Sequence, residues 1–135
     1  VFKGQVIEVA VRAFLGGAVA LSENGNRVVV GGRTFTPIVG EKSLDYAGGV
    51  SVYDFVSNVW VQAGETILGL DYYDRFGHDV DLSDDGNRIV VGAYTSDKQD
   101  LCMRDIGQVT VFLEDTSSTA RKEANWTCHQ RRNIK

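Results

Sequence analysis

The sequence predicts an all-β chain assembled from two copies of one short-stranded unit, and three observations carry that prediction. A twelve-residue stretch occurs twice, its strands alternate or cluster apolar residues as sheets require, and each copy turns on an Asx-Gly pair. The stretch Leu21-Ser22-Glu23-Asn24-Gly25-Asn26-Arg27-Val28-Val29-Val30-Gly31-Gly32 returns as Leu82-Ser83-Asp84-Asp85-Gly86-Asn87-Arg88-Ile89-Val90-Val91-Gly92-Ala93. Eight of the twelve positions are identical at an offset of 61 residues, and three more are close exchanges. A period this long marks a stack of supersecondary units, none of which buries its apolar surface alone.

The first strand of each unit has period two. Val80 and Leu82 alternate with Asp79, Asp81 and Ser83, and in the first copy Val19 and Leu21 alternate with Ala18, Ala20 and Ser22. That pattern gives one apolar face per strand. Asn24-Gly25 and Asp85-Gly86 follow, residues that tolerate the positive φ of a tight hairpin. Next come the β-branched runs Arg27–Gly31 and Arg88–Gly92, which suit strands covered on both sides. A variable loop then runs from Arg33 to Ala47 and from Tyr94 to Ile106. Gly48 and Gly107 introduce third strands, Gly49–Phe55 and Gln108–Leu113, and fourth strands are anchored by Trp60-Val61-Gln62 and Trp126-Thr127. No stretch carries helical periodicity.

Four short antiparallel strands in about sixty residues, repeated, make blades of a β-propeller. The expected division is a first blade at 1–63, including the connection from a preceding blade, a second at 64–128, and a frayed basic tail at 129–135. Gly4-Gln5-Val6-Ile7 aligns with Gly64-Glu65-Thr66-Ile67, so the chain opens just after the place of an outer-strand tryptophan. Two blades cannot close a ring of four to eight. The expectation is a partial propeller that meets further blades or associates with itself.

Phe76-Gly77 followed by Val80–Ala93, then the Gly-x-Val-x-Val-aromatic strand and Trp60-Val61-Gln62, resembles the FG-GAP repeat of integrin-α-like propellers. The first copy has Leu15-Gly16 in place of Phe-Gly, and the proline that the family places after Gly-Ala is Arg33 in one copy and Tyr94 in the other. The resemblance implies an adhesion-type module, extracellular or on the cell surface, whose variable loops contact protein or carbohydrate. It also implies a Ca²⁺ hairpin with Asp or Asn at positions one, three, five and nine. Asp81, Ser83 and Asp85 occupy the first three here, but Ile89 stands at the ninth, and the first copy offers only Ala20, Ser22, Asn24 and Val28. With six to eight oxygens needed, the turn is expected to stand without metal.

Composition excludes more than it assigns. A net charge of −4 supplies no basic face for nucleic acid, and no apolar run reaches the ~18 residues of a membrane span. Cys102 and Cys128 allow one disulfide in an oxidising compartment and are otherwise plain thiols; neither has zinc-site spacing. Asn125-Trp126-Thr127 has the N-glycosylation pattern, but Trp126 is expected to pack within its blade. Asp74, His78, Asp79, Asp81, Asp84 and Asp85 form an acidic run with one histidine, read here as a solvated strand edge and turn. Phe55, Trp60, Phe112 and Trp126 read as packing between blades. No nucleophile has a neighbouring base, and Gly16-Gly17 and Gly31-Gly32 precede no helix that would make a phosphate loop. The function expected is non-catalytic interaction through the loops Thr34–Tyr46 and Tyr94–Asp105. The alternative is a fragment of a propeller hydrolase or lyase using His78, Asp79 and Asp81 at the channel mouth.

Overall fold

A computed structural model describes residues 4–7, 16–94 and 107–114, and every element among them is a strand. The first sheet holds β1 (Ala18–Leu21), β2 (Arg27–Gly32), β5 (Gly49–Val56) and β6 (Val59–Gln62) in that spatial order, all antiparallel. The outer strand continues past Ala63–Thr66 into β7 (Ile67–Leu68), which pairs with the start of β5. The second sheet has β8 (Asp79–Leu82), β9 (Arg88–Ala93) and β10 (Gln108–Leu113) in the matching order. β10 spans the predicted third strand to the residue, whereas the position of a fourth strand at Trp126 lies outside the described residues. The first variable loop contains an unforeseen hairpin, β3 (Ile38–Val39) with β4 (Lys42–Ser43).

The two sheets pack face to face, and pairing registers show which residues meet. Ala18 stands opposite Gly31, Ala20 opposite Val29, and Val29 opposite Val52, so these share one face of the first sheet with Val50. On the second sheet Val80 is opposite Val91, Leu82 opposite Ile89, and Ile89 opposite Phe112. Those two sets form the buried cluster, together with Phe76, Ala93 and Ile67. Phe76 meets Phe112 edge to face at 5.8 Å between ring centres, an arrangement that suits the ring quadrupoles. The core therefore lies between the units rather than within either.

This corrects one expectation. In the first copy Ala18 and Ala20 are the residues that pack against the second sheet, and Val19 and Leu21 face away, 62% and 57% exposed. Their equivalents Val80 and Leu82 are both 8% exposed. A blade has two faces, and the same position is inner for one neighbour and outer for the other.

Glycine sets how closely the sheets approach. A Cβ on Gly31 would stand 2.3 Å from the Gly77 carbonyl oxygen and 3.1 Å from a Val80 methyl. Gly77 itself has φ +82°, and a Cβ there would meet the Gly49 carbonyl oxygen at 2.5 Å. The Phe-Gly of the second unit thus places a ring in the core and bare backbone against the Gly-Gly of the first. Gly92, which repeats Gly31, has only ordinary contacts near 3.8 Å with Asp79. Gly31→Ala should cost about 2 kcal/mol or more, since backbone must move. Gly92→Ala should stay within about 0.5 kcal/mol. Urea unfolding of the two variants measures the difference.

Candidate functional site

The chain order puts different chemistry on the two rims of the stack. The hairpin turns after β1, β5 and β8 lie on one rim, and the long connections after β2, β6 and β9 lie on the other.

On the turn rim the sequence motif is a closed hydrogen-bond circuit. Asp85 Oδ1 accepts from the Ser83 hydroxyl at 2.6 Å and from the Asn87 N–H at 3.0 Å, and Ser83 Oγ accepts the Arg88 N–H at 3.0 Å. The first copy repeats it with Asn24 Oδ1 accepting from Ser22 and from the Asn26 N–H, and Ser22 Oγ accepting the Arg27 N–H. The Ser83 hydroxyl, then the Asn87 N–H, hold the Asp85 carboxyl below the usual aspartate range. Asp81 Oδ1 caps the N–H of Leu82, and Asp79 Oδ1 that of Val80. These oxygens serve the turn and strand. With Ile89 at the ninth position the donor set does not fit Ca²⁺, and no group of three His, Cys, Asp or Glu suits a metal among the described residues.

Arg27 ties this rim across the two sheets. Its Nε and Nη2 donate to the two oxygens of Asp54 at 2.6 and 3.0 Å, a bidentate fork within the first sheet. Its Nη1 donates to the Gly86 carbonyl at 2.8 Å and to Glu114, both in the second unit. Asp54 first and Glu114 next raise the arginine's pKa, so it stays charged. The turns also touch directly, the Glu23 N–H donating to the Asp84 carbonyl at 3.1 Å.

The loop rim gathers a different set. Arg33 Nη1 lies 3.3 Å from His78 Nδ1, and the His78 ring meets Tyr94 edge on at 4.4 Å. The Arg75 guanidinium sits 5.5 Å from the Tyr46 ring centre and 5.8 Å from that of Tyr94. Tyr46 stacks on Tyr73 at 5.5 Å. Tyr46, Tyr73 and Arg75 all have positive φ, 54°, 61° and 54°. Such backbone is costly for side-chain-bearing residues and persists where the surroundings enforce it. Here the chain 73–76 runs along 45–47, with N–H groups of Tyr73, Arg75 and Phe76 donating to carbonyls of Asp45, Tyr46 and Ala47.

The sequence candidates scatter. His78 belongs to the loop-rim group, away from the carboxylates of Asp81 and Asp85, while Asp74 is buried and accepts the N–H groups of Leu70 and Asp71. Asp84 contributes its carbonyl to the contact between turns. Phe55 and Trp60 pair at 5.2 Å on the face turned away from the second sheet, unlike Phe112. Cys102, Cys128, Asn125, Trp126 and most of the loop Tyr94–Asp105 lie outside the described residues. Sequence reading placed Tyr46 and Tyr94 at the ends of the two candidate loops but did not single out Arg33, Tyr73 or Arg75 as candidates; the usable signal for Arg33 was that it shares a repeat position with Tyr94.

Two outcomes test the turn rim. Ser83→Ala should cost about 1–2 kcal/mol in urea unfolding, because the Arg88 N–H loses its acceptor. Asp85 should titrate by carbonyl NMR below the ~3.9 of a free aspartate. A depressed folded pKa means its contribution is complete above the unfolded value and is lost as pH falls through the folded one. Asp85→Asn, which copies Asn24, should remove that acid dependence and keep the turn, and Ca²⁺ should shift neither variant's midpoint.

Comparison with known proteins agrees with this geometry. No curated protein matches the chain. The family model of the FG-GAP repeat matches residues 71–112, from the approach to Phe76-Gly77 through β8 and β9 to Phe112 in β10. The chain therefore carries an FG-GAP repeat at residues 71–112, preceded by a second copy of its motif.

Proposed function

We propose that the chain is a non-catalytic propeller-type interaction module, whose outer faces take further blades and whose loop rim meets a partner. The carrying observation is that each half of the internal interface recurs on the other unit with apolar side chains exposed among the described residues. Val19 and Leu21 repeat the Val80 and Leu82 that pack inward and are 62% and 57% exposed, and Phe55 on the same face is also exposed, whereas Tyr53, which repeats Phe112, is buried. At the other end Val109 and Val111 repeat the buried Val50 and the half-buried Val52, and are 71% and 58% exposed. Gly92 repeats Gly31 with no atom nearer than 3.8 Å to its Cβ position, and Arg88 repeats Arg27 without an ion pair among the described residues.

The two ends are complementary by descent, so contact between them is head to tail, the arrangement that extends or closes a ring. The second unit has Asp79 and Asp81 where the first has Ala18 and Ala20. Its free face therefore favours a neighbour with donors near the axis. Leu113 stands where Asp54 would pair Arg88 in-sheet, which leaves that arginine to a carboxylate from outside.

Against the enzyme alternative, His78 Nδ1 is engaged by Arg33 while Asp79 and Asp81 cap backbone N–H groups of their own strand. No shared proton links them. The loop rim, in contrast, displays exposed aromatic and cationic side chains on a stiff support, which is how binding loops are usually carried. An adhesion role and an extracellular setting rest on the family resemblance.

Light scattering on the 135-residue chain tests the faces. Association that rises with concentration is expected, and Val111→Asp with Phe55→Asp should reduce it without lowering the thermal midpoint. A chain that stays monomeric at all concentrations, with no dye binding to apolar surface, would overturn the reading.

A further inference from the structure

We propose that the loop rim around Arg75 binds a single carboxylate carried on an acidic segment of a partner protein. This rests on the loop rim being the partner-facing side, and it names the chemistry recognised there.

The arrangement is cationic, with donors left over among the described residues. Arg75 lies 5.5 and 5.8 Å from the ring centres of Tyr46 and Tyr94, and has neither a hydrogen bond nor an ion pair from its side chain among the described residues. Attraction to two ring faces holds the guanidinium near both tyrosines and uses none of its N–H donors, which remain for a ligand. A carboxylate matches that edge with two parallel hydrogen bonds. Arginine cannot accept, so the Arg33 contact makes His78 Nδ1 the acceptor and puts the imidazole proton on Nε2. His78 thereby adds a further donor, and Arg33 keeps its remaining N–H groups.

Two independent features mark the place as built rather than incidental. Arg33 and Tyr94 are the same repeat position, 61 residues apart. Both converge on the one ring of His78, from opposite units. The second feature is the positive φ at Tyr46, Tyr73 and Arg75, a local strain that the fold maintains where these side chains meet.

The surroundings select the ligand. The chain's net charge is −4, and Asp45, Asp71 and Asp74 lie in the same loops. A polyanion would meet more repulsion from these carboxylates than one carboxylate flanked by apolar groups. Tyr46, Tyr73 and Tyr94 are 42%, 51% and 44% exposed, enough ring surface to take those flanking groups.

The test is NMR titration of the full chain with capped Leu-Asp-Leu tripeptide, its Leu-Asn-Leu analogue, inorganic phosphate and sulfate. Expected are shifts of the Arg75 side-chain N–H and Tyr94 ring signals with the aspartate peptide, and binding weaker by roughly tenfold or more with asparagine. Arg75→Gln should abolish the shifts, and Arg33→Gln, at an exposed site that leaves the amide spectrum intact, should weaken them severalfold. No aspartate-dependent shift, equal binding of both peptides, or tenfold preference for phosphate or sulfate would each overturn the proposal. None of those results bears on association through the blade faces, which light scattering reads separately.

Discussion

The approach of Gly77 to Gly31 governs the geometry of this molecule. Two stacked sheets ordinarily stand ~10 Å apart, separated by side chains from both. Near β8 the spacing collapses to backbone against backbone, because neither Gly31 nor Gly77 carries a Cβ. The neighbouring Phe76 then has nowhere to go but between the sheets, where it meets Phe112. Apolar burial supplies most of the favourable free energy, but it is non-directional and would accept several registers. The glycine contact rejects them. Arg27 does the same work at the far rim, reaching Asp54 in its own sheet and Gly86 and Glu114 in the next. With one end fixed by sterics and the other by charge, the two sheets have a single relative placement.

That placement explains why equal sequence does not mean equal environment. Val19 and Val80 occupy the same repeat position on the same face of equivalent strands, yet one is exposed and the other buried. What differs is whether a neighbour lies on that side. Small residues at Ala18 and Ala20 let β8 lie close over β1 and β2, and the larger Val80 and Leu82 fill the space from the opposite sheet. The alternation of small and large is thus a property of the pair. Neither strand shows it alone, and so period-two reasoning picked an apolar face in β1 but not the face that packs here.

Local features were legible in the chain and convergent ones were not. Asn24-Gly25 and Asp85-Gly86 turn where expected, with φ of +72° and +74° at the glycines. The β-branched runs became β2 and β9, since their pairing and burial follow from residue type over a few positions. The hairpin Ile38–Val39 with Lys42–Ser43 escaped notice because two-residue strands carry no period. The loop-rim group escaped for a different reason. Its members come from positions 33, 46, 73, 75, 78 and 94, which no local window spans. Only the common repeat position of Arg33 and Tyr94 hinted that two of them face one site.

The turn rim argues, from inside the sequence, about what its carboxylates are for. Asn24 and Asp85 occupy equivalent positions and make the same two hydrogen bonds from the same oxygen. A neutral amide therefore suffices for the turn, and the charge on Asp85 is an addition the fold does not require. As a cation site the hairpin would lack an oxygen donor at the ninth position in both copies, Val28 and Ile89, and at the first position in the first copy, Ala20. Instead both copies spend their oxygens inward, on Ser, Asn and Arg N–H or O–H groups that the turn itself presents. A rim so closed has little left to offer a ligand. The opposite rim, where Arg75 lies against two tyrosines without an acceptor among the described residues, has donors still to place. The two rims thus differ in how much hydrogen-bonding capacity the described residues leave unused.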